Sequence, residues 1–226
     1  FREMWTEKGE QVYFALSKNG YDWEIINDGN PVITAKKGDL GVRDIVIART
    51  RDNRFVIMAT DLALIKNIDT KYKGNIRNAF KDGSKAIAMW KSDDLVNWKY
   101  EGDVATLETL GQTWCGWAGR CGVVYNEKAN KYVLVSQFNG TIIASADNPK
   151  GPFKTEKGYF WGGTSLPVIA NGDTGDLTMF YDEDGKGYMI CSSANGRGHL
   201  YIAPMDAAKD YCDFDFDNIK ELVYCE

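Results

Sequence analysis

Asp44-Ile-Val-Ile-Ala-Arg49, a polar turn over residues 50–54, and Phe55-Val-Ile-Met-Ala-Thr60 read as two apolar strands joined by a hairpin. After an insert the chain continues with Ala86-Ile-Ala-Met-Trp-Lys-Ser-Asp-Asp-Leu-Val-Asn-Trp98, a third strand and a turn that ends on an aromatic. The same order returns in Gly122-Val-Val-Tyr125, a turn over residues 126–131, Tyr132-Val-Leu-Val-Ser136 and Thr141-Ile-Ile-Ala-Ser-Ala-Asp-Asn-Pro-Lys-Gly-Pro-Phe153. It returns again in Asp176-Leu-Thr-Met-Phe180, a turn over residues 181–187, Tyr188-Met-Ile-Cys191, and His199-Leu-Tyr-Ile-Ala-Pro-Met-Asp206 running on to Tyr211. Short strands repeated in one order stack as small sheets, radially or linearly, and a β-propeller is the leading expectation. A propeller has a central funnel, which says where chemistry should be sought.

The N-terminal stretch Gln11-Val-Tyr-Phe-Ala-Leu-Ser-Lys-Asn-Gly-Tyr-Asp-Trp23 matches only the second half of the module, Ala86 to Trp98. Residues 11–33 are therefore expected to form the outer part of a closing blade. The expectation is an all-β fold, one propeller domain over residues 1–226, with about three blades and the outer strands of the closing one. That count leaves the domain incomplete at its C-terminus, although residues 219–224 offer a small sheet for a four-bladed closure.

The bulk numbers narrow the function classes. Among 226 residues, 44% hydrophobic and 13% aromatic content suffices for a globular core. A formal charge of -5 gives no electrostatic footprint for nucleic acid or an anionic membrane. No apolar run approaches the length of a spanning helix. The five cysteines (Cys115, Cys121, Cys191, Cys212, Cys225) show neither a C-x-x-C pair nor zinc spacing. Their odd number argues for core residues with a single bridge at most.

Strand direction sorts the loops onto two faces. If each first strand starts at the funnel mouth, the mouth collects the starts Asp44, Cys121 and Asp176 and the returns at Thr60-Asp61, Gln137-Phe138-Asn139 and Ser193-Ala-Asn195. The insert over residues 64–84 and the connectors over residues 106–120 and 156–175, with Trp114, Trp117 and Trp161, open onto the same face. Elaboration of one face of a β scaffold usually marks the binding face. Asp44 and Asp176 then face each other across the funnel, with Cys121 at the matching place between them, preceded by Arg120. Two carboxyl groups across a pocket are what glycosidic bond cleavage requires, one handling a proton and one acting on water or the sugar. The plainer alternative is that strand starts are common places for Asp, which caps turns.

Other residues carry alternatives of their own. Trp117 and Trp161 either stack on sugar faces or pack their connectors down, and Gln137 and Asn195 stand at the mouth as substrate contacts. Arg43 and Arg120 either bind sugar hydroxyls or hold Asp44 ionised, with a structural salt bridge the alternative for Arg43. Asp182-Glu-Asp184-Gly has the look of a calcium run but lacks the later glutamate and reads as a hairpin turn. His199, the single histidine, sits beside Leu200 and Tyr201 and reads as a core or wall residue in preference to a metal ligand. Gly162-Gly163 reads as a connector bend.

The chain resembles glycoside hydrolase family 43, five-bladed propeller enzymes that trim arabinose, xylose and galactose from plant polysaccharides. The resemblance is carried by Ala15-Leu-Ser-Lys-Asn-Gly-Tyr-Asp-Trp23, Gly41-Val-Arg-Asp44 with Ala59-Thr-Asp-Leu62, Lys91-Ser-Asp-Asp-Leu-Val-Asn-Trp98 and Gly175-Asp-Leu-Thr-Met-Phe-Tyr-Asp-Glu-Asp-Gly185, in that order. It implies that Asp44 is the general base activating water in an inverting hydrolysis, and Asp176 the aspartate that tunes and orients the acid. Three departures stand out. The family's Asp-Pro is Asp44-Ile45, its Trp-Ala-Pro-Glu is Trp117-Ala-Gly-Arg120, and the glutamate acid that opens a fourth blade has no counterpart up to Glu226, which is left without a role.

The resemblance thus implies an exo-acting, inverting glycosidase that removes terminal arabinofuranosyl, galactosyl or xylosyl residues. The Gly175 to Phe180 stretch is similar to the galactan-cleaving branch, and the Val42-Arg43-Asp44 stretch to arabinofuranosidases. A carbohydrate-binding propeller without catalysis is the alternative, and a structural or protein-binding propeller a third. No cofactor is required under the first reading, with a structural calcium ion a lesser expectation. The expected partner is an oligosaccharide or polysaccharide, with no nucleic acid or membrane, together with a further segment or chain completing the propeller. The expected setting is secreted, periplasmic or cell-surface, with the cytoplasm left open.

Overall fold

The computed structural model of the chain describes residues 6, 8–112, 118–137, 140–160, 174–193 and 198–224. Trp114, Cys115, Trp117, Phe138, Asn139, Trp161, Gly162, Gly163, Asn195, Cys225 and Glu226 lie outside the described residues. Three antiparallel four-stranded sheets follow one another along the chain. Blade I comprises β3 (Arg43–Arg49), β4 (Phe55–Thr60), β5 (Ala86–Ser92) and β6 (Lys99–Thr106). Blade II comprises β7 (Gly119–Asn126), β8 (Lys131–Gln137), β9 (Gly140–Ala146) and β10 (Lys154–Phe160). Blade III comprises β11 (Thr174–Tyr181), β12 (Gly187–Ser193), β13 (His199–Pro204) and β14 (Lys220–Tyr224). Ahead of them stands a two-stranded piece, β1 (Ala15–Leu16) with β2 (Glu24–Ile25), extended by an isolated bridge between Val12 and Ile33.

Each module therefore has a fourth strand beyond the expected three. Residues 220–224 pair with β13 and complete blade III, so they do not start a blade of their own. Likewise residues 156–160 belong to β10, and the connector they were assigned to begins after it.

The half-module at the N-terminus repeats blade I atom for atom in its turn. Ser92 Oγ accepts from Leu95 N at 2.9 Å, the Asp94 carboxylate from the N–H groups of Val96 and Asn97 at 2.9 and 2.8 Å, and Trp98 Nε1 donates to Leu95 O at 3.0 Å. Ser17 Oγ accepts from Gly20 N at 2.8 Å, Asn19 Oδ1 from Tyr21 N and Asp22 N at 2.9 Å each, and Trp23 Nε1 donates to Gly20 O at 3.1 Å. Short side chains that bond their own backbone build such turns locally, which is why the motif survives in both places.

Sheets stack face to face because alternate residues of each strand are apolar. Val46, Met58 and Met89 of blade I meet Cys121, Leu134, Ile142 and Phe153 of blade II. The opposite face of blade II, with Val124, Val135 and Ile143, meets Met179, Met189 and Tyr201 of blade III. Sheets approach so closely here that a Cβ on Gly122 would lie 2.7 Å from Met179 Cγ. Val12, Ile33 and Ala35 cover Ile57, Ala59, Ala88 and Trp90 on the other face of blade I. Cys121 and Cys191 are buried free thiols within these layers. Leu134 has no exposed surface, whereas Tyr21 is 89% exposed. Leu134→Ala is accordingly expected to cost about 2–5 kcal/mol in urea unfolding, and Tyr21→Ala to stay within about 0.5 kcal/mol.

Candidate active site

The inner strands β3, β7 and β11 each carry a register shift near their start, between Arg43 and Val46, Gly119 and Cys121, and Thr174 and Leu177. A bulge of this kind re-aims one side chain and is common beside functional sites. Counted back from the residue that opens each inner hairpin (Thr50, Asn126, Asp182), the same position falls on Asp44, Arg120 and Asp176. Asp44 and Arg120 both hold positive φ, 50° and 36°, a conformation that side chains of this size adopt rarely and that clusters at functional sites. The residue matching Asp44 in blade II is thus Arg120. Cys121, expected at that place because an arginine precedes it as Arg43 precedes Asp44, faces the core between blades I and II instead.

The three charged side chains converge. Arg120 Nε lies 2.6 Å from Asp176 Oδ1, and its Nη1 donates to Gln137 Oε1 at 2.7 Å. Gln137 Nε2 in turn donates to the carbonyls of Thr174 and Gly175. The Arg120 backbone N–H donates to Thr60 Oγ1 at 2.8 Å, and the Thr60 hydroxyl also hydrogen-bonds the Asp44 carboxylate. Burial pushes the Asp44 carboxyl above the usual aspartate range; the Arg43 and Arg120 guanidiniums pull it back, and the Asp176 carboxylate pushes it up. Asp44, Arg43 and Arg120 line a cavity of about 200 Å³ whose other walls are Leu62, Leu64, Ile76 and Ala79. Those apolar walls come from the end of blade I's second strand and from the insert, which supplies two short helical turns, α1 (Leu64–Asn67) and α2 (Ala79–Asp82).

Two buried acids that sequence reading passed over fasten this roof. Glu10, 2% exposed, accepts from Leu64 N and Ile65 N at 3.1 and 3.2 Å and pairs with Arg43 at 3.5 Å. Asp39 accepts the hydroxyl of the fully buried Tyr72 at 2.6 Å and the ammonium of Lys71, while its own N–H donates to both oxygens of Asp61 at 2.9 and 3.0 Å. Gly38 precedes it with φ 67°, where a Cβ would fall 1.7 Å from Asp61 Oδ2, so only glycine fits. The one signal in the sequence was a tyrosine between two lysines, Lys71-Tyr72-Lys73.

The remaining candidates are placed as follows. Arg43 is tied to Glu10, the salt-bridge alternative, and also faces Asp44. Trp117, Trp161 and Asn195 fall outside the described residues. Asp182-Glu-Asp184 forms a hairpin turn in which Gly185 N donates to Asp182 O and Asp184 binds Lys186. His199 is a wall residue stacked on Tyr224, with Nδ1 2.8 Å from Glu221. Among the described residues no group of three or more His, Cys, Asp or Glu is arranged to hold a metal ion. A larger groove of about 490 Å³ runs between residues 32–37 and Trp90, Trp98 and Tyr100. Its aromatic surfaces are occupied by the protein: Lys37 sits over the Tyr100 ring and Trp98 packs edge-on with Phe14. The Asp44 cavity, where charge converges, is the candidate site.

A carboxyl whose pKa is raised by folding adds stability in acid, and that contribution is lost as pH rises through the folded value. Asn accepts the left-handed backbone of position 44. The thermal midpoint of Asp44→Asn is therefore expected to gain on wild type as pH rises from about 4 to 7; a pH-independent difference would show that Asp44 is not shifted. Tyr72→Phe, which leaves Asp39 short of a donor, is expected to cost about 1–3 kcal/mol in urea unfolding.

Comparison with known proteins follows this geometry. A family profile described as "Probable glycosyl hydrolase domain", related to glycoside hydrolase family 43, matches residues 1–165. No curated protein sequence matches the chain. Among solved structures, a family 43 β-1,3-galactosidase with galactodeoxynojirimycin is 18% identical with a TM-score of 0.58, covering 85% of this chain and 67% of that one. An exo-β-1,3-galactanase from Clostridium thermocellum is 19% identical with a TM-score of 0.61, covering 85% and 41%. One from Phanerochaete chrysosporium with β-1,3-galactotriose is 20% identical with a TM-score of 0.56, covering 83% and 38%. At such identities the likeness shows the fold, an all-β propeller architecture. The chain spans from two thirds down to about two fifths of the length of these neighbours.

Proposed function

Because the chain belongs to the "Probable glycosyl hydrolase domain" family, related to glycoside hydrolase family 43, we propose that it is a propeller glycosidase in which Asp44 is the general base. The observation that carries this reading is the convergence of Asp44, Arg120 and Asp176 at one position of three successive blades, beside a partly apolar cavity. A carboxylate of raised basicity, held by Thr60 and flanked by two guanidiniums, is suited to take a proton from water in a single inverting displacement. Asp176, anchored by Arg120 on the adjacent blade II, is suited to orient a proton donor or a sugar hydroxyl. The proposed substrate is a polysaccharide or oligosaccharide with a terminal galactosyl unit, attacked from its end. The structural neighbours include a β-1,3-galactosidase and several exo-β-1,3-galactanases beside one endo-1,4-β-xylanase, which supports a galactosyl end over arabinofuranosyl or xylosyl ones. No cofactor takes part in this scheme, and the proposed setting is secreted, periplasmic or cell-surface, where such polysaccharides occur.

The proton donor is proposed to come from a further segment or chain that packs on blade III. Phe180, Leu200 and Val223 on its outward face are 36, 37 and 47% exposed, whereas Val124, Val133 and Ile143 on the corresponding face of blade II are 6, 0 and 0% exposed. At the other end, Ile45 and Ile47 of β3 are also uncovered. Contiguous exposed apolar faces of this kind mark interaction surfaces.

Aryl β-galactoside, α-arabinofuranoside and β-xyloside, with β-1,3-galactobiose as natural substrate, separate the alternatives. Hydrolysis of the galactosyl substrates is expected to be fastest, and Asp44→Asn to lower kcat by about 10²–10⁴. The acid limb of the wild-type pH profile is expected above the ordinary aspartate range, since activity is lost as Asp44 takes up a proton. Activity of Asp44→Asn equal to wild type would remove Asp44 from the mechanism. Binding of galacto-oligosaccharide without product would favour the carbohydrate-binding reading, for which the pairing of Asp176 with Arg120 speaks.

A further inference from the structure

We infer that Arg120 is a positioning residue: its guanidinium, clamped between Asp176 and Gln137, fixes the two funnel aspartates relative to each other and supplies the positive charge that both face. Its consequence for catalysis rests on the glycosidase reading; its geometry does not. Arg120 occupies in blade II the place that Asp44 and Asp176 occupy in blades I and III, so the three blades present a negative, a positive and a negative group in turn. A carboxylate there would put three like charges at one funnel neck; a guanidinium instead gives each neighbour an opposite charge.

The clamp is a closed ring of hydrogen bonds. Arg120 Nε binds Asp176 Oδ1 at 2.6 Å, Arg120 Nη1 binds Gln137 Oε1 at 2.7 Å, and Gln137 Nε2 binds the carbonyls of Thr174 and Gly175, which lead back to Asp176. The ring therefore ties the start of β7 to the start of β11, and the planar fork of Arg suits two directed bonds at once. A second arm starts at the Arg120 backbone, whose N–H donates to Thr60 Oγ1, the hydroxyl that holds Asp44. Side chain and main chain of one residue thus reach both aspartates. Its φ of 36° is the conformation that permits this. Around Asp44 the facing charged groups are Arg43, itself shared with Glu10, Arg120, and Asp176. The nearby Cys121 thiol is pushed up by burial and stays neutral.

The proposal is tested by NMR on protein labelled with ¹³C at aspartate carboxyls and ¹⁵N at arginine side chains. In wild type the Arg120 Nε–H is expected to exchange at least about tenfold more slowly than free arginine, and Asp176→Leu, which takes away its acceptor, to remove that protection. Arg120→Met is expected to move the Asp44 titration upward by about one pH unit, and Arg120→Lys to leave it near the wild-type midpoint. An unprotected Nε–H in wild type, or an Asp44 midpoint that Arg120→Met leaves in place, overturns the proposal. The wild-type measurement decides even if Arg120→Met fails to fold. None of these readings needs hydrolysis, so an inactive chain would sink the glycosidase reading while this one stands or falls separately.

Discussion

Each blade of this protein is a thin sheet with two apolar faces, and the need to cover both governs everything else. A single four-stranded sheet with Val133, Leu134 and Val135 side by side exposes apolar surface whichever way it turns. Covering it on both sides requires a sheet before and a sheet after, and blade II is so enclosed. Stacking in that manner brings the starts of β3, β7 and β11 to one place without any designed contact between them. The funnel neck is thus a by-product of burial, and it is available to whatever residue stands at the start of an inner strand. The same constraint accounts for the N-terminal piece: Val12, Ile33 and Ala35 lie on Ile57, Ala59 and Trp90 because that face of blade I has no other cover.

Turning a strand start into a site takes one more device, the bulge. In regular pleating, Asp44 and Arg120 would continue the alternation of their strands. The extra residue and the left-handed backbone lift them out of it, so that a charged group faces the funnel while its neighbours Val46 and Cys121 stay in the core. Strain of order 1–3 kcal/mol per such residue is offset locally, by Thr60 for both and by Asp176 and Gln137 for Arg120. Ionising Asp44 beside apolar Leu62, Leu64 and Ile76 works against the fold and in favour of basicity. Stability and chemistry therefore pull in opposite directions at that one carboxyl.

How much of this could be read in the sequence depends on how local each cause is. The Ser92 to Trp98 turn was legible, and its partial copy at Ser17 to Trp23 with it, because every hydrogen bond in it spans two or three residues. The outer strands of blades I and II were not. β6 carries two register shifts and Gly102 at φ 111°, which erase alternation, and β10 is the polar run Lys-Thr-Glu-Lys-Gly at a solvent edge. Arg120 was seen, but one place out of register, since matching it to Arg43 put Cys121 opposite Asp44, whereas counting back from the hairpin at Asn126 puts Arg120 there. Glu10 and Asp39 were invisible because their partners are Leu64 and Ile65 in one case and Tyr72 in the other, far along the chain.

Those two acids also explain why the insert can act as a wall at all. Residues 64–84 contain only short helical turns, too brief to hold a shape alone. Glu10 accepts the first two N–H groups of α1, doing for a one-turn helix what a cap residue does for a long one. Asp39 fixes Tyr72 and Lys71 from beneath, and Asn67 Nδ2 returns a hydrogen bond to Asp39 O at 2.9 Å. Because Glu10 also pairs with Arg43, the residue that holds the roof is one bond away from the neighbour of Asp44. The N-terminal segment therefore does two things at once: it covers the open face of blade I, and it sets the distance between the apolar roof and the carboxyl beneath it. A change in how that segment seats would reach Asp44 through Glu10 and Arg43 before it disturbed any blade.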